Sequence, residues 1–121
     1  MNVREFRDPL KLAQSISLNR TKVLLLWEMD NQKQNDQKLR SSFANVDWKK
    51  ELEELISLGL VSRIVHAKRK PMEIEYALTN RGAKYLRCIR TMMDVGIEIM
   101  MDYQMHEVLI QEGYIEKVSE S

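Results

Sequence analysis

One change of pattern limits the possible folds more than anything else in this chain. Up to residue 58 the apolar residues recur at helical spacing, and from residue 80 they do so again, but the stretch between is β-like. Val61-Ser62-Arg63-Ile64-Val65-His66 is β-rich, and Glu73-Ile74-Glu75-Tyr76-Ala77-Leu78 alternates, with Ile74, Tyr76 and Leu78 on one face. Between them, Ala67-Lys68-Arg69-Lys70-Pro71-Met72 has the length of a hairpin loop and carries consecutive cations. The reading is a two-stranded ribbon with a charged tip, set into a chain that is otherwise mainly α.

The helical part divides at local signals. Asp8-Pro9 is a start signal, Asp as cap and Pro at the first helical position, for a short helix over residues 9–16 with Leu10, Ala13 and Ile16 on one side. Asn19 is the next cap candidate. Residues 20–29 include Val23, Leu24, Leu25, Leu26 and Trp27 and are apolar nearly all round, the pattern of a centrally buried helix. Residues 30–37 (DNQKQNDQ) are wholly polar and read as a loop. A short helix is expected over 38–43, with Leu39 and Phe43 one turn apart. Ala44-Asn45-Val46 then reads as a turn, and Asp47 as the cap of a helix over 48–58 in which Trp48, Leu52, Leu55 and Ile56 keep a helical period. Gly59 is its natural terminator. Thr79 caps a last helix, expected to run from Asn80 to about Gln111. It carries two apolar stripes, one of Leu86, Ile89, Met93, Gly96, Met100 and Tyr103, the other of Tyr85, Cys88, Met92, Val95 and Ile99. One stripe can pack on the chain's own domain and leave the other for a partner in a coiled-coil-like contact. Residues 112–121 are expected to fray.

A length of 121 residues fits one domain whose core needs neither metal nor disulfide. Cys88 is the only cysteine, and its neighbours Leu86 and Ile89 point to a buried structural thiol. The balance of 19 basic and 18 acidic residues does not by itself point to nucleic acid, so a DNA-binding function would have to rest on where the cations lie. No stretch is apolar for long enough to span a bilayer, and the first eight residues lack the apolar run of a signal peptide, so the chain reads as cytoplasmic. Motifs for catalysis are missing. His66 and His106 stand outside any H-x-x-x-H or C-x-x-C spacing, and no Gly-rich phosphate loop or Ser-His-acid set is suggested. The expectation is a protein that is not an enzyme and needs no metal or cofactor, with His106 a surface or interface residue.

Helix, short helix, turn, helix, hairpin, helix is the order of a winged helix-turn-helix. Residues 52–61 (LEELISLGLV) look like the end of a recognition helix turning into a wing, and residues 75–82 (EYALTNRG) resemble the Y-x-L-T-x-x-G that leaves one. On these residues the chain resembles HxlR-type transcriptional regulators, and more distantly MarR- and PadR-type regulators, over roughly residues 18–100. The resemblance implies a single winged-helix domain over residues 1–121, with its core at about 18–79 and a C-terminal dimerisation helix at about 80–111. It also implies a homodimer, a recognition helix in the major groove, and a wing on the flanking backbone or minor groove.

Within that frame the wing cations Lys68, Arg69 and Lys70, with His66 nearby, are candidates for phosphate neutralisation. Trp48, Lys49 and Lys50 at the start of the recognition helix, with Asn45 in the preceding turn, are candidates for reading bases, because Lys can donate to guanine O6 and N7. Trp48 also fits a core anchor, which its spacing to Leu52 and Leu55 favours. Lys38, Arg40, Ser41 and Ser42 on the supporting helix are phosphate-contact candidates or ordinary surface residues. Arg20 and Lys22 are further candidates to face DNA. Arg81, Lys84, Arg87 and Arg90 form a basic side of the last helix. Glu51, Glu53 and Glu54 would repel phosphates in the groove and read as a solvated outer face. The dimer contact is expected on Leu86, Ile89, Met93, Gly96, Ile99, Met100 and Tyr103. No effector is specified. Two other readings stay open: a protein-docking winged helix, favoured by the near-neutral charge and acidic helix, and a low-specificity chromosome-architectural dimer.

Overall fold

The computed structural model describes residues 1–116. After a 3-10 turn at Val3–Glu5 come α1 (Pro9–Ser17), α2 (Arg20–Glu28), α3 (Asp36–Ser42) and α4 (Trp48–Ser57). The hairpin β1 (Val61–His66) and β2 (Glu73–Leu78) follows, then α5 (Asn80–Asp102) and α6 (His106–Gln111). The order is that of a winged helix-turn-helix, with α3 and α4 flanking the turn and β1–β2 as the wing. Two compact units divide the chain, Met1–Leu86 and the part from Arg87 onward, so the boundary falls inside α5. No helix among the described residues is long and apolar enough to cross a membrane.

The helix starts follow from their caps. Asp8 accepts from the backbone of Leu10 at 2.8 Å, with Pro9 opening α1, and Asn19 accepts from Lys22 N at 3.0 Å to open α2. Asn35 accepts from Lys38 N at 2.8 Å, so α3 starts at Asp36, inside the stretch expected to be loop. Asp47, the expected cap of α4, makes no side-chain capping bond. The last three helices, α4, α5 and α6, are closed by left-handed residues. At Gly59 (φ +75°) the amide of Leu60 bonds Leu55 O at 3.0 Å and that of Gly59 bonds Ile56 O at 3.0 Å, the Schellman pattern.

The same pattern interrupts the last helix, which was expected to be continuous. Gln104 adopts φ 59°, Met105 N bonds Met100 O at 3.0 Å, and Gln104 N bonds Met101 O at 2.9 Å. The chain then restarts as α6, which Gly113 (φ +81°) closes in its turn. Of the stretch expected to fray, residues 112–114 form the hydrogen-bonded turn that closes α6, and residues 117–121 lie outside the described residues.

The core of the first unit is built from Ile16, Leu25, Leu26, Leu39, Phe43, Trp48, Leu52, Leu55, Leu60, Val61, Tyr76 and Leu86, among others. One face of α2 supplies Leu25 and Leu26, while Leu24 and Trp27 are exposed, so this helix is not apolar-buried all round. In the wing the strands are antiparallel, with Val61 opposite Leu78, Arg63 opposite Tyr76 and Val65 opposite Ile74. The polar segment before α3 is tied to the wing rather than free. Gln34 and Tyr76 exchange backbone hydrogen bonds at 2.9 and 2.8 Å, and the buried Gln34 amide donates to Glu28 O at 3.0 Å. A β-bridge of one residue needs no β-pattern, which is why the sequence does not advertise it.

Candidate nucleic-acid interface

The helix-turn-helix acquires its charge pattern from what α4 buries. Trp48, Leu52 and Leu55 face the core. Trp48 is only 5% exposed, so its assignment as a base-reading side chain gives way to the core-anchor alternative. By helical spacing Lys50, Glu53 and Ser57 lie on the side away from that stripe, and all are exposed. Lys49 is exposed beside them, its ammonium 5.8 Å from the Trp48 ring centroid. Asn45 is exposed in the turn before the helix.

Of the three acidic residues of α4, only Glu53 lies on the solvated face expected of them, its side chain 58% exposed. Glu51 and Glu54 turn toward α2, where both accept from the Lys22 ammonium, Glu51 at 2.6 Å. Asn19 adds a bond to Glu51 at 3.0 Å, and the Met1 ammonium lies 3.3 Å from Glu54. Lys22, a candidate to face DNA, is instead 3% exposed and bridges α2 to α4. Burial alone would push its pKa down, but the hydrogen bonds and charges of Glu51 and Glu54 outweigh that and hold it above the ordinary lysine value. The Lys22 bond correspondingly holds Glu54 below the usual carboxylate value, against a smaller opposing effect of burial. A sequence signal for this arrangement exists. Lys22 lies three and four residues before Leu25 and Leu26, on the core face, and a cation there requires acidic partners.

The third carboxylate, Glu53, pairs with Arg63 of β1. The Arg63 guanidinium lies 5.9 Å over the ring of Tyr76, its cross-strand partner. Tyr76 is buried and donates to Asp36 at 2.9 Å. Its burial, then that hydrogen bond, push the phenol pKa up. These contacts tie the first residue of α3, both wing strands and α4 into one arrangement, and neither Arg63 nor Tyr76 stands out in the sequence as part of it.

Residues 67–72 form the wing tip, with Lys68, Arg69 and Lys70 exposed. Arg69 is not free: its guanidinium lies 2.6 Å from Glu73 and 3.6 Å from Glu75. His66 is also engaged with Glu75. Lys68 and Lys70 have no carboxylate partner among the described residues. On α3, Lys38, Arg40, Ser41 and Ser42 are exposed, and Lys38, Ser41 and Ser42 border a polar hollow of about 540 Å³. Arg20 is exposed as well.

The two local motifs meet at one junction. Thr79 Oγ1 accepts from Gly82 N at 3.0 Å, capping α5, and donates to Gly59 O at 2.6 Å. Arg81 donates to Leu58 O at 2.8 Å, so it seals the end of α4 and is not a free member of a basic stripe. Gly82 lies so close to the start of β1 that a Cβ would stand 2.0 Å from Leu60 O. The L-x-x-L-x-x-x-G-L-V of residues 52–61 and the Y-x-L-T-x-x-G pattern are therefore two sides of one contact that sets the wing against α4.

On α5 the stripe expected to form the dimer contact is partly used within the chain. Leu86 is 1% exposed in the core of the first unit, and Ile89 is also buried, which removes both as partner contacts. Met93, Gly96 and Met100 are half-buried. Of the other residues expected in the dimer contact, Ile99 and Tyr103 are exposed, and so are Met92 and Val95 of the second stripe. Cys88 lies on it and is exposed, contrary to the expected buried thiol. Among the described residues no group of three or more His, Cys, Asp or Glu side chains is arranged to hold a metal.

The architecture and the junction define a winged helix-turn-helix protein. A family model for the HxlR-like helix-turn-helix matches residues 17–104, and the chain belongs to that family of DNA-binding transcription regulators. Solved structures share the fold. A MarR-family transcriptional regulator from Enterococcus faecalis V583 is 20% identical with a TM-score of 0.73, the match covering 86% of this chain and 98% of that one. The reduced form of the transcriptional regulator YodB from B. subtilis is 19% identical with a TM-score of 0.65, covering 74% and 90%. The redox regulator HypR in its oxidised form is 22% identical with a TM-score of 0.64, covering 75% and 96%. No curated protein matches the chain in sequence.

Proposed function

We propose that this chain is a sequence-specific regulator of transcription that binds double-stranded DNA as a homodimer in the cytoplasm. The observation that carries the reading is the charge arrangement of α4. Its carboxylates are all paired within the chain, Glu51 and Glu54 with the buried Lys22 and Glu53 with Arg63 at the surface, while Lys49 and Lys50 at its start have no carboxylate partner among the described residues. The acidic composition of this helix, which favoured a protein-docking function, thereby loses its force. In helix-turn-helix proteins the start of the second helix reads base edges, and phosphates are neutralised around it. Lys68 and Lys70 on the wing and Lys38 and Arg40 on α3 supply further cations for the backbone.

The homodimer is supported by the exposed stripe of Met92, Val95 and Ile99 on one face of α5, with the exposed Tyr103 just beyond the helix end. A two-fold dimer would present recognition helices to half-sites about 34 Å apart, one turn of the duplex.

Selection of bound duplexes from a random pool tests this function. The expected product is a sharp, roughly palindromic site. Diffuse enrichment would support the architectural reading instead, and no bound DNA would leave the docking module.

A further inference from the structure

With Glu51 and Glu54 turned inward on Lys22, α4 presents one carboxylate on its outward face. That is Glu53, between Lys50 and Ser57 on the side opposite Trp48, Leu52 and Leu55. Its side chain is 58% exposed even while paired with Arg63. We infer that Glu53 is a specificity-determining residue of α4 that accepts a hydrogen bond from the N4 amino group of a cytosine in the major groove. The inference rests on the DNA-binding reading above and adds the base that one position would require.

The chemistry of the groove narrows the choice. Guanine offers only acceptors there, and thymine an acceptor and a methyl group, so both repel a carboxylate. Adenine offers one donor beside an acceptor, which opposes the second carboxylate oxygen. Cytosine offers a donor alone. A bare carboxylate would also be driven from the groove by flanking phosphates. Arg63, which pairs with Glu53 and lies over the buried Tyr76 ring that Asp36 in turn holds, counters that repulsion. A surface ion pair of this kind contributes little to stability, so Glu53 can be replaced with little cost to the fold.

The test is selection from a random duplex pool by the full chain and by its Glu53→Ala and Glu53→Gln variants at one salt concentration, with thermal unfolding of each. The native chain should prefer cytosine about tenfold at one position of its site. Glu53→Ala should equalise the bases at that position and keep the others. Glu53→Gln should move the preference to adenine, whose N6 and N7 pair with an amide. Identical sites for all three proteins would overturn the inference while leaving the DNA-binding function intact. Loss of preference at every position, with a lowered unfolding temperature, would overturn it in favour of a folding role. A native chain that binds no duplex would overturn both readings.

Discussion

Gly82 and Lys22 show how single positions hold this helix-turn-helix in shape. At Gly82 the obstacle to any side chain is a backbone oxygen, which cannot swing aside. Gly82→Ala is expected to destabilise the chain by about 2 kcal/mol or more, read from the midpoint of urea unfolding. Lys22 sits under two carboxylates that keep partial access to water. Lys22→Met should therefore cost about 2–3 kcal/mol, somewhat less than breaking a fully buried pair, and replacing Glu51 and Glu54 by Gln as well should recover much of it. A pH dependence follows from the same contact. The folded-state pKa of Glu54 is depressed, so its contribution is present above the ordinary value of 4.5 and is lost as pH falls through the lower, folded value. In Glu54→Gln the decline of stability below about pH 4.5 should be shallower, as acid titration of unfolding would record. Residue roles were legible where one local rule decides them, as at Asp8, Asn19, Gly59 and Thr79. They were not legible where the partner is distant in sequence. Glu51 and Glu54 look solvated until α2 is laid against α4, and Trp48 could not be divided between core and groove without knowing which face α4 buries.

The elements were predicted largely where apolar period and caps agree. The hairpin and α4 follow directly from Val61 to His66, Glu73 to Leu78 and the Trp48, Leu52, Leu55 stripe. The start of α3 was missed because Asn35 and Asp36 look alike in a polar run, whether they cap a helix or lie in a loop. The break after α5 was missed for a different reason. Its left-handed residue is Gln104, not the glycine that usually marks such an end. The choice between the stripes of α5 also lay beyond sequence, since both have helical spacing and only packing decides which is used internally. The open stripe carries its own prediction. Val95→Asp combined with Ile99→Asp should convert a dimer to a monomer in sedimentation and weaken binding to a palindromic duplex by at least an order of magnitude, roughly the gain expected from linking two half-site contacts. A variant that stays dimeric would place the contact elsewhere.

At the scale of the whole molecule, a net charge of +1 gives no hint of a nucleic-acid partner. What matters is that the acids of α4 and several of the wing are paired within the chain, while Lys49, Lys50, Lys68 and Lys70 have no carboxylate partner among the described residues. Everything proposed about DNA depends on those unmatched cations meeting phosphates and base edges together. Titration of a duplex with the native chain and with a variant bearing Lys68→Ala and Lys70→Ala, over a range of salt, measures this directly. The account predicts that the affinity of the native chain falls steeply with salt, and that the slope of log K against log salt drops by about one for each lysine removed, about four in all for the dimer. An identical slope in the two proteins would contradict it.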